Sequence, residues 1–272
     1  MWCPTEKVIH WVDIEGKSIL RIDPKTGKRD RFSQNYEFGC IVKRADGGFI
    51  AGTNAGLVFL DKDLKASTVF ANPEPDLPDN RFNDGKCDRQ GRFWVGSTDV
   101  NEVDPSGTLY RVNGSGDVSG VLSGLTVANG LGWSPDSKTM YFTDSGHGMI
   151  YAFDFDADTG SIENQRTFAH VNAEDGAPDG LCVDSEGFVW SAHWDGWRIT
   201  RYDPDGRIDR VIGIPVPLVT SLAFGGEDLG QMFVTTARLE MSEEQLKEAP
   251  LSGGLFQIDA GVAGLPEVPY QG

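Results

Sequence analysis

The sequence lacks the markers of most familiar hydrolases, nucleotide enzymes and disulfide scaffolds. Its four cysteines, Cys3, Cys40, Cys87 and Cys182, are far apart and form no C-x-x-C pair. That spacing suggests neither a structural zinc site nor a disulfide framework. The four histidines, His10, His147, His170 and His193, show no H-x-H or H-E-x-x-H spacing, and no serine stands in a G-x-S-x-G elbow. Zincins and serine hydrolases are therefore disfavoured, and without a G-x-G-x-x-G or a P-loop so are nucleotide folds. No stretch approaches the length of a membrane span, and the N-terminus lacks the basic region and apolar run of a secretory signal. The expectation is a cytoplasmic protein with reduced, buried thiols. Basic residues are scarce: 24 Lys and Arg against 41 Asp and Glu leave a formal charge of −17. Such a balance opposes both a phosphate backbone and an anionic membrane, and serves solubility. Helical sequence is nearly absent as well. Only Ser242 to Glu248, a good N-cap followed by strong helix formers, predicts one short surface helix.

What the sequence does have is a repeat. A short apolar strand follows a Gly-, Asp- or Ser-rich turn six times, centred on His10, Ile50, Trp94, Tyr141, Trp190 and Phe233. The interval is roughly 40 to 50 residues, the period of a four-stranded propeller blade. The preceding turns, such as Asp88-Arg89-Gln90-Gly91 and Asp184-Ser185-Glu186-Gly187, supply the side-chain bond and the positive φ that a hairpin needs. Alternating segments such as Gly107 to Val112 and Arg198 to Asp203 follow, each the mark of a half-buried strand. The fold class is all-β, a six-bladed β-propeller, read as one domain over 1–272 with the repeated copies as its inner strands.

Three segments carry chemistry: Asn80 to Lys86, Val127 to Ser134 and Ala177 to Asp184. In each, oxygen-bearing side chains accompany a glycine a few residues before a repeat copy, so the three fall on successive blades. Amide and carboxylate oxygens are hard ligands suited to Ca²⁺, Mg²⁺, Mn²⁺ or another divalent ion. Asn129-Gly130 and Asp179-Gly180 are equally the commonest turn dipeptides, and only their recurrence favours ligation. Asp84 and Lys86 read as a pair, His193 and Trp194 as packed core, and Asp13 and Asp144 as structural carboxylates.

The stretches Asn80 to Gly96 (NRFNDGKCDRQGRFWVG), Asn129 to Ser134 (NGLGWS), Pro178 to Asp184 (PDGLCVD) and Phe224-Gly225-Gly226 resemble the regucalcin, gluconolactonase and luciferin-regenerating-enzyme family over nearly the whole chain. The stretch His193 to Arg198 (HWDGWR) is similar to sugar-acid lactonases of that family. The resemblance implies a propeller holding one divalent ion (Ca, Zn, Mg, Mn or Fe). It makes Asn129 and Asp179 metal ligands and Asp179 the catalytic acid/base. Arg81 and Asn83 become substrate-binding positions, with Asn83 reaching the ion directly or through water. The implied reaction is ring opening of a sugar-acid lactone. A promiscuous ester or phosphotriester hydrolase, and a non-catalytic calcium-binding or scaffold propeller, stand as alternatives. The family's first ligand is a Glu in a Gly-Glu-x-Pro segment ahead of the position of Trp2, and this sequence starts after it. The expectation is a truncated start, with substitution by another carboxylate as the alternative.

Overall fold

A computed structural model describes residues 1–272. Its strands form six antiparallel meanders. The first comprises β1 (Trp2–Cys3), β2 (Val8–Asp13), β3 (Ser18–Ile22) and β4 (Arg29–Ser33). The second comprises β5 (Phe38–Lys43), β6 (Phe49–Thr53), β7 (Gly56–Leu60) and β8 (Ser67–Ala71), and the third β9 (Asn80–Cys87), β10 (Phe93–Asp99), β11 (Gly107–Val112) and β12 (Val118–Leu125). The fourth has β13 (Ala128–Trp133), β14 (Thr139–Asp144), β15 (Met149–Asp156) and β16 (Ser161–His170). The fifth has β17 (Ala177–Val183), β18 (Val189–Trp194), β19 (Arg198–Tyr202) and β20 (Ile208–Gly213). The last has three strands, β21 (Val219–Gly225), β22 (Gln231–Thr236) and β23 (Leu255–Asp259). This is a six-bladed β-propeller. The alternating segments pair as expected, β11 with β10 and β19 with β18. Helix α1 (Glu243–Glu248) closes a capping box: Ser242 Oγ accepts from the Gln245 amide, and Gln245 Oε1 accepts from the Ser242 amide.

The repeat copies are not the innermost strands. They are the second strands, flanked by a neighbour on each side, which is why β6 and β10 are buried at every position and read as apolar runs. The first strands β5 and β9, and β17 and β21, lie against one another across neighbouring blades, whereas the fourth strands β4 and β20 are the exposed ones. Gly39 of β5 lies against Phe82 and Asn83 of β9, and Gly180 of β17 lies against Ser221 of β21.

Two compact units divide the chain. One comprises Met1–Asn129, Phe155–Glu163 and Pro266–Gly272, the other Gly130–Asp154 and Asn164–Leu265. The first is cored by Phe38, Phe49, Ile50, Leu57, Phe93 and Trp94, and the second by Trp190, Ile199, Val219, Met232 and Val234. One device recurs in both. Fully buried Asp88 accepts from the Trp94 indole at 2.9 Å, from Arg92 Nε at 2.6 Å and from two backbone amides of its own turn. Asp184 does the same with the Trp190 indole at 2.8 Å, Arg201 Nε at 2.9 Å and the Glu186 and Phe188 amides. Each turn closes through a glycine at positive φ, Gly91 at 78° and Gly187 at 86°, a conformation open to glycine at no steric cost. The aspartate thus ties turn, strand and core tryptophan into one unit, and its burial is offset by a full set of donors.

Candidate functional site

Arg81 and Asn83 lie on β9, Asn129 on β13 and Asp179 on β17, all first strands, and β9 and β17 carry irregularities of register. In β9, Phe82 pairs with Ser97 but Gly85 pairs with Val95, so one extra residue is accommodated around Asn83 and Asp84. In β17, Pro178 pairs with His193 but Leu181 pairs with Ser191, placing the extra residue at Asp179-Gly180. Strands β5 and β21 carry matching irregularities at Gly39 and Thr220. A bulge re-aims a side chain out of the pleat and bends the strand. The Asn-Gly and Asp-Gly pairs are therefore strand residues rather than hairpin turns.

In the first unit three predicted residues meet. Arg81 Nη1 donates to Asn83 Oδ1 at 2.6 Å. Asn83 Nδ2 donates to the Ala128 carbonyl at 2.8 Å and to Asn129 Oδ1 at 3.3 Å. The Asn83 amide is thereby oriented without ambiguity, oxygen toward the guanidinium and nitrogen toward Asn129. Asn129 is 8% exposed, while Arg81 and Asn83 are half-buried. Burial pushes the Asp84 carboxyl up from its ordinary range, with the Lys86 ammonium opposing that effect.

A hub that sequence reasoning missed supports this corner. Glu74 accepts from Ser97 Oγ at 2.6 Å, the Tyr110 hydroxyl at 2.9 Å and Asn80 Nδ2 at 3.0 Å, anchoring the start of β9 immediately before Arg81. Burial and the Glu74 charge push the Tyr110 phenol up to about 12, so it remains a donor. Glu74 lies in a proline-flanked connection with no motif around it, and nothing in its local sequence signals the role.

Asp179 belongs to the second unit, half-buried on β17. Its backbone is closely packed: a Cβ built on Gly130 would stand 2.1 Å from the Leu181 nitrogen and 2.7 Å from the Asp179 carbonyl oxygen. On the other side, a Cβ on Gly180 would stand 2.3 Å from Ser221 Oγ. Ser145 Oγ donates to the Pro178 carbonyl at 2.5 Å, fixing the residue just before Asp179. The other carboxylates considered make local hydrogen bonds. Asp144 holds His147 Nδ1 at 2.8 Å, and Asp13 accepts from the Gly16 amide at 2.8 Å.

The donors suit a hard cation. Asn129 offers a nearly buried amide oxygen and Asp179 a carboxylate, both hard donors, while no group of three or more His, Cys, Asp or Glu able to hold a metal ion is brought together in the chain.

Six antiparallel blades define a β-propeller, with Arg81, Asn83 and Asn129 joined by hydrogen bonds on the first strands of two of them. The chain belongs to the SMP-30/gluconolactonase/LRE-like family, whose pattern it matches over residues 1–238. It is 35% identical to regucalcin of Xenopus laevis over 280 aligned residues, covering 100% of this chain and 93% of that protein. It is 34% identical to the 6-deoxy-6-sulfogluconolactonase of Pseudomonas putida, covering 100% of this chain and 94% of the relative. The crystal structure of regucalcin from Agrobacterium tumefaciens, described as a calcium-binding protein, superposes with a TM-score of 0.94 at 27% identity, over 99% of this chain and 92% of that one. No helix is long and apolar enough to cross a membrane.

Proposed function

We propose that this protein hydrolyses the ring ester of a sugar-acid lactone, such as a glucono-, xylono- or arabinonolactone, in a divalent-metal-dependent reaction. The observation that carries the reading is the Arg81–Asn83–Asn129 hydrogen-bonded chain on the innermost strands, in a family with a lactonase among its 34%-identical members. Asn129 and Asp179 would hold the ion. A hard divalent ion bound there supplies Lewis acidity toward a lactone carbonyl and lowers the pKa of a bound water. Asp179 takes the proton of the attacking water and returns it to the departing ring oxygen, leaving a hydroxy acid. Arg81 holds ring hydroxyls or the carbonyl oxygen, turning binding energy into orientation. Asn83, with its nitrogen toward Asn129, keeps that amide oxygen aimed and shares the substrate contact. Four free, buried cysteines suit a reducing, cytoplasmic setting.

A second reading, a calcium-binding propeller without turnover, is favoured by the regucalcin relatives alone. One experiment separates the two: a panel of aldonolactones and aryl esters assayed with chelator and after re-addition of Ca²⁺, Mg²⁺ or Mn²⁺. Chelator-sensitive lactone opening supports the proposal. Calcium binding without turnover favours the second reading, and ester turnover alone would shift the substrate class.

A further inference from the structure

The hairpin between β18 and β19 carries an aromatic side chain that the core does not use. Trp197 at its tip is 45% exposed, whereas Trp2, Trp94, Trp133 and Trp190 are buried and Trp11 and Trp194 are half-buried. Its backbone is also in the left-handed region: φ is 57° at Trp197 and 57° at Asp195, on either side of Gly196. Aspartate tolerates that conformation, but for a bulky side chain it is an outlier. Leu64 and Leu229 share it, each at 57°, and each packs against a hydrophobic cluster that offsets the strain. No comparable burial offsets it at Trp197. Strained positions of this kind gather where a protein meets a ligand.

The tip is held on both sides. The Gly196 amide donates to the His193 carbonyl at 3.1 Å, the Trp197 amide donates to the Pro217 carbonyl at 3.3 Å, and the Trp197 carbonyl accepts from the Ile214 amide at 2.7 Å. A Cβ on Gly196 would stand 2.4 Å from the Asp175 carbonyl oxygen, so the tip packs on the segment that leads into β17. Trp194 pairs with Ala177 and His193 with Pro178. Asp179 follows Ala177 by two residues, roughly 7 Å along the strand. Trp197 and Asp179 thus stand at the same end of one blade, about the width of a sugar ring apart in strand position.

The chemistry of an exposed indole narrows what it meets. Its face is apolar and its single polar group is an N–H donor. The adjoining Asp195 and Gly196 add no apolar side chain, so the tip offers one platform, far short of the roughly 800 Å² per partner that a stable protein interface needs. A sugar ring has the matching surface: a face of C–H groups to lie on the indole and a rim of hydroxyls to meet the N–H. We infer that Trp197 is a specificity-determining residue, its indole the platform for the ring of a sugar lactone whose ester lies at Asp179. The inference rests on the lactonase reading for the identity of the substrate, and the test keeps the two apart.

Two measurements are made on the full chain with Ca²⁺ present and on Trp197→Gly and Trp197→Phe: steady-state kinetics with glucono-δ-lactone, and calorimetric titration with anhydroglucitol, a closed sugar ring without an ester. Trp197→Gly should raise KM about tenfold with kcat within about twofold, and weaken anhydroglucitol binding about tenfold. Its melting temperature should be equal or higher, because glycine takes a positive φ without strain. Trp197→Phe keeps a flat apolar face and should restore most of the affinity. Lactone opening with KM and anhydroglucitol binding unchanged in Trp197→Gly would overturn the role of Trp197 and leave the lactonase reading standing. Anhydroglucitol binding that depends on Trp197, with no lactone opened, would keep the platform and overturn the lactonase reading. No anhydroglucitol binding by the natural chain, or a melting temperature that falls together with kcat in Trp197→Gly, would overturn the inference.

Discussion

Arg81 and Asn83 stand two residues apart on one strand, and the guanidinium donates straight to the amide oxygen at 2.6 Å. Residues i and i+2 of a strand share a face, so the long Arg81 side chain reaches the Asn83 amide where the strand enters its bulge. The contact leaves the Asn83 nitrogen committed to Ala128 and Asn129. Asn83→Leu should therefore lower kcat/KM for the preferred lactone about 100-fold. It should also reduce the rise in melting temperature on adding Ca²⁺. Lost turnover with an unchanged calcium response would confine Asn83 to the substrate.

Asp179→Asn removes charge and proton acceptor at nearly constant volume. Ring opening should fall by about 10³-fold or more, with the circular dichroism spectrum and melting temperature in the absence of metal preserved. Near-normal turnover in this variant would remove Asp179 from the mechanism.

Replacing Asp184 by Ala removes the acceptor of the buried Trp190 indole and of Arg201 Nε, while Asp209 and Glu186 still hold the Arg201 terminal nitrogens. The expected cost is about 3–5 kcal/mol in chemical denaturation. Asp184→Asn should cost less, since its amide oxygen still accepts. Equal midpoints for all three proteins would mean that the tryptophan clamp contributes nothing to stability.

The His193 imidazole titrates at about 4 in the folded chain, against 6.5 ordinarily, because it is buried. The unfolded chain binds the proton first, so this contribution to stability is complete above pH 6.5 and is lost as pH falls toward 4. Its full size is up to ~3 kcal/mol. The melting temperature of His193→Gln should accordingly fall less than that of the natural chain between pH 7 and pH 4.5. Parallel curves would show that other groups dominate the acid limb.

Gly130 leaves no space for a methyl group against the β17 backbone. Gly130→Ala should destabilise by about 2 kcal/mol or more and shift the Asp179 segment, lowering kcat rather than raising KM alone. Thermal melts and steady-state kinetics on one preparation check both effects.

The blade count and the helix at Ser242 were legible in the sequence because both rest on local chemistry: a turn that needs aspartate and glycine, and a cap that needs serine. The strand order was not. The copies around Trp94 and Trp190 look like inner strands because they are the most apolar, but that reflects burial on both faces in the second position of the sheet. The bulges were invisible for a related reason. Asn83-Asp84-Gly85 and Asp179-Gly180 have turn composition, and only pairing to a partner strand reveals a bent strand instead. Glu74 acts mainly through Ser97 and Tyr110, groups distant in sequence.

The close backbone contacts along the innermost strands also bear on how such a protein can change. Gly39, Gly130 and Gly180 each touch the neighbouring strand where a single carbon would collide. Sequence drift along this row is therefore nearly frozen, and a new substrate preference must arise from the connections that follow it. A mutant library aimed at substrate range belongs in connections such as 100–106, which hold no glycine pressed against a neighbouring backbone.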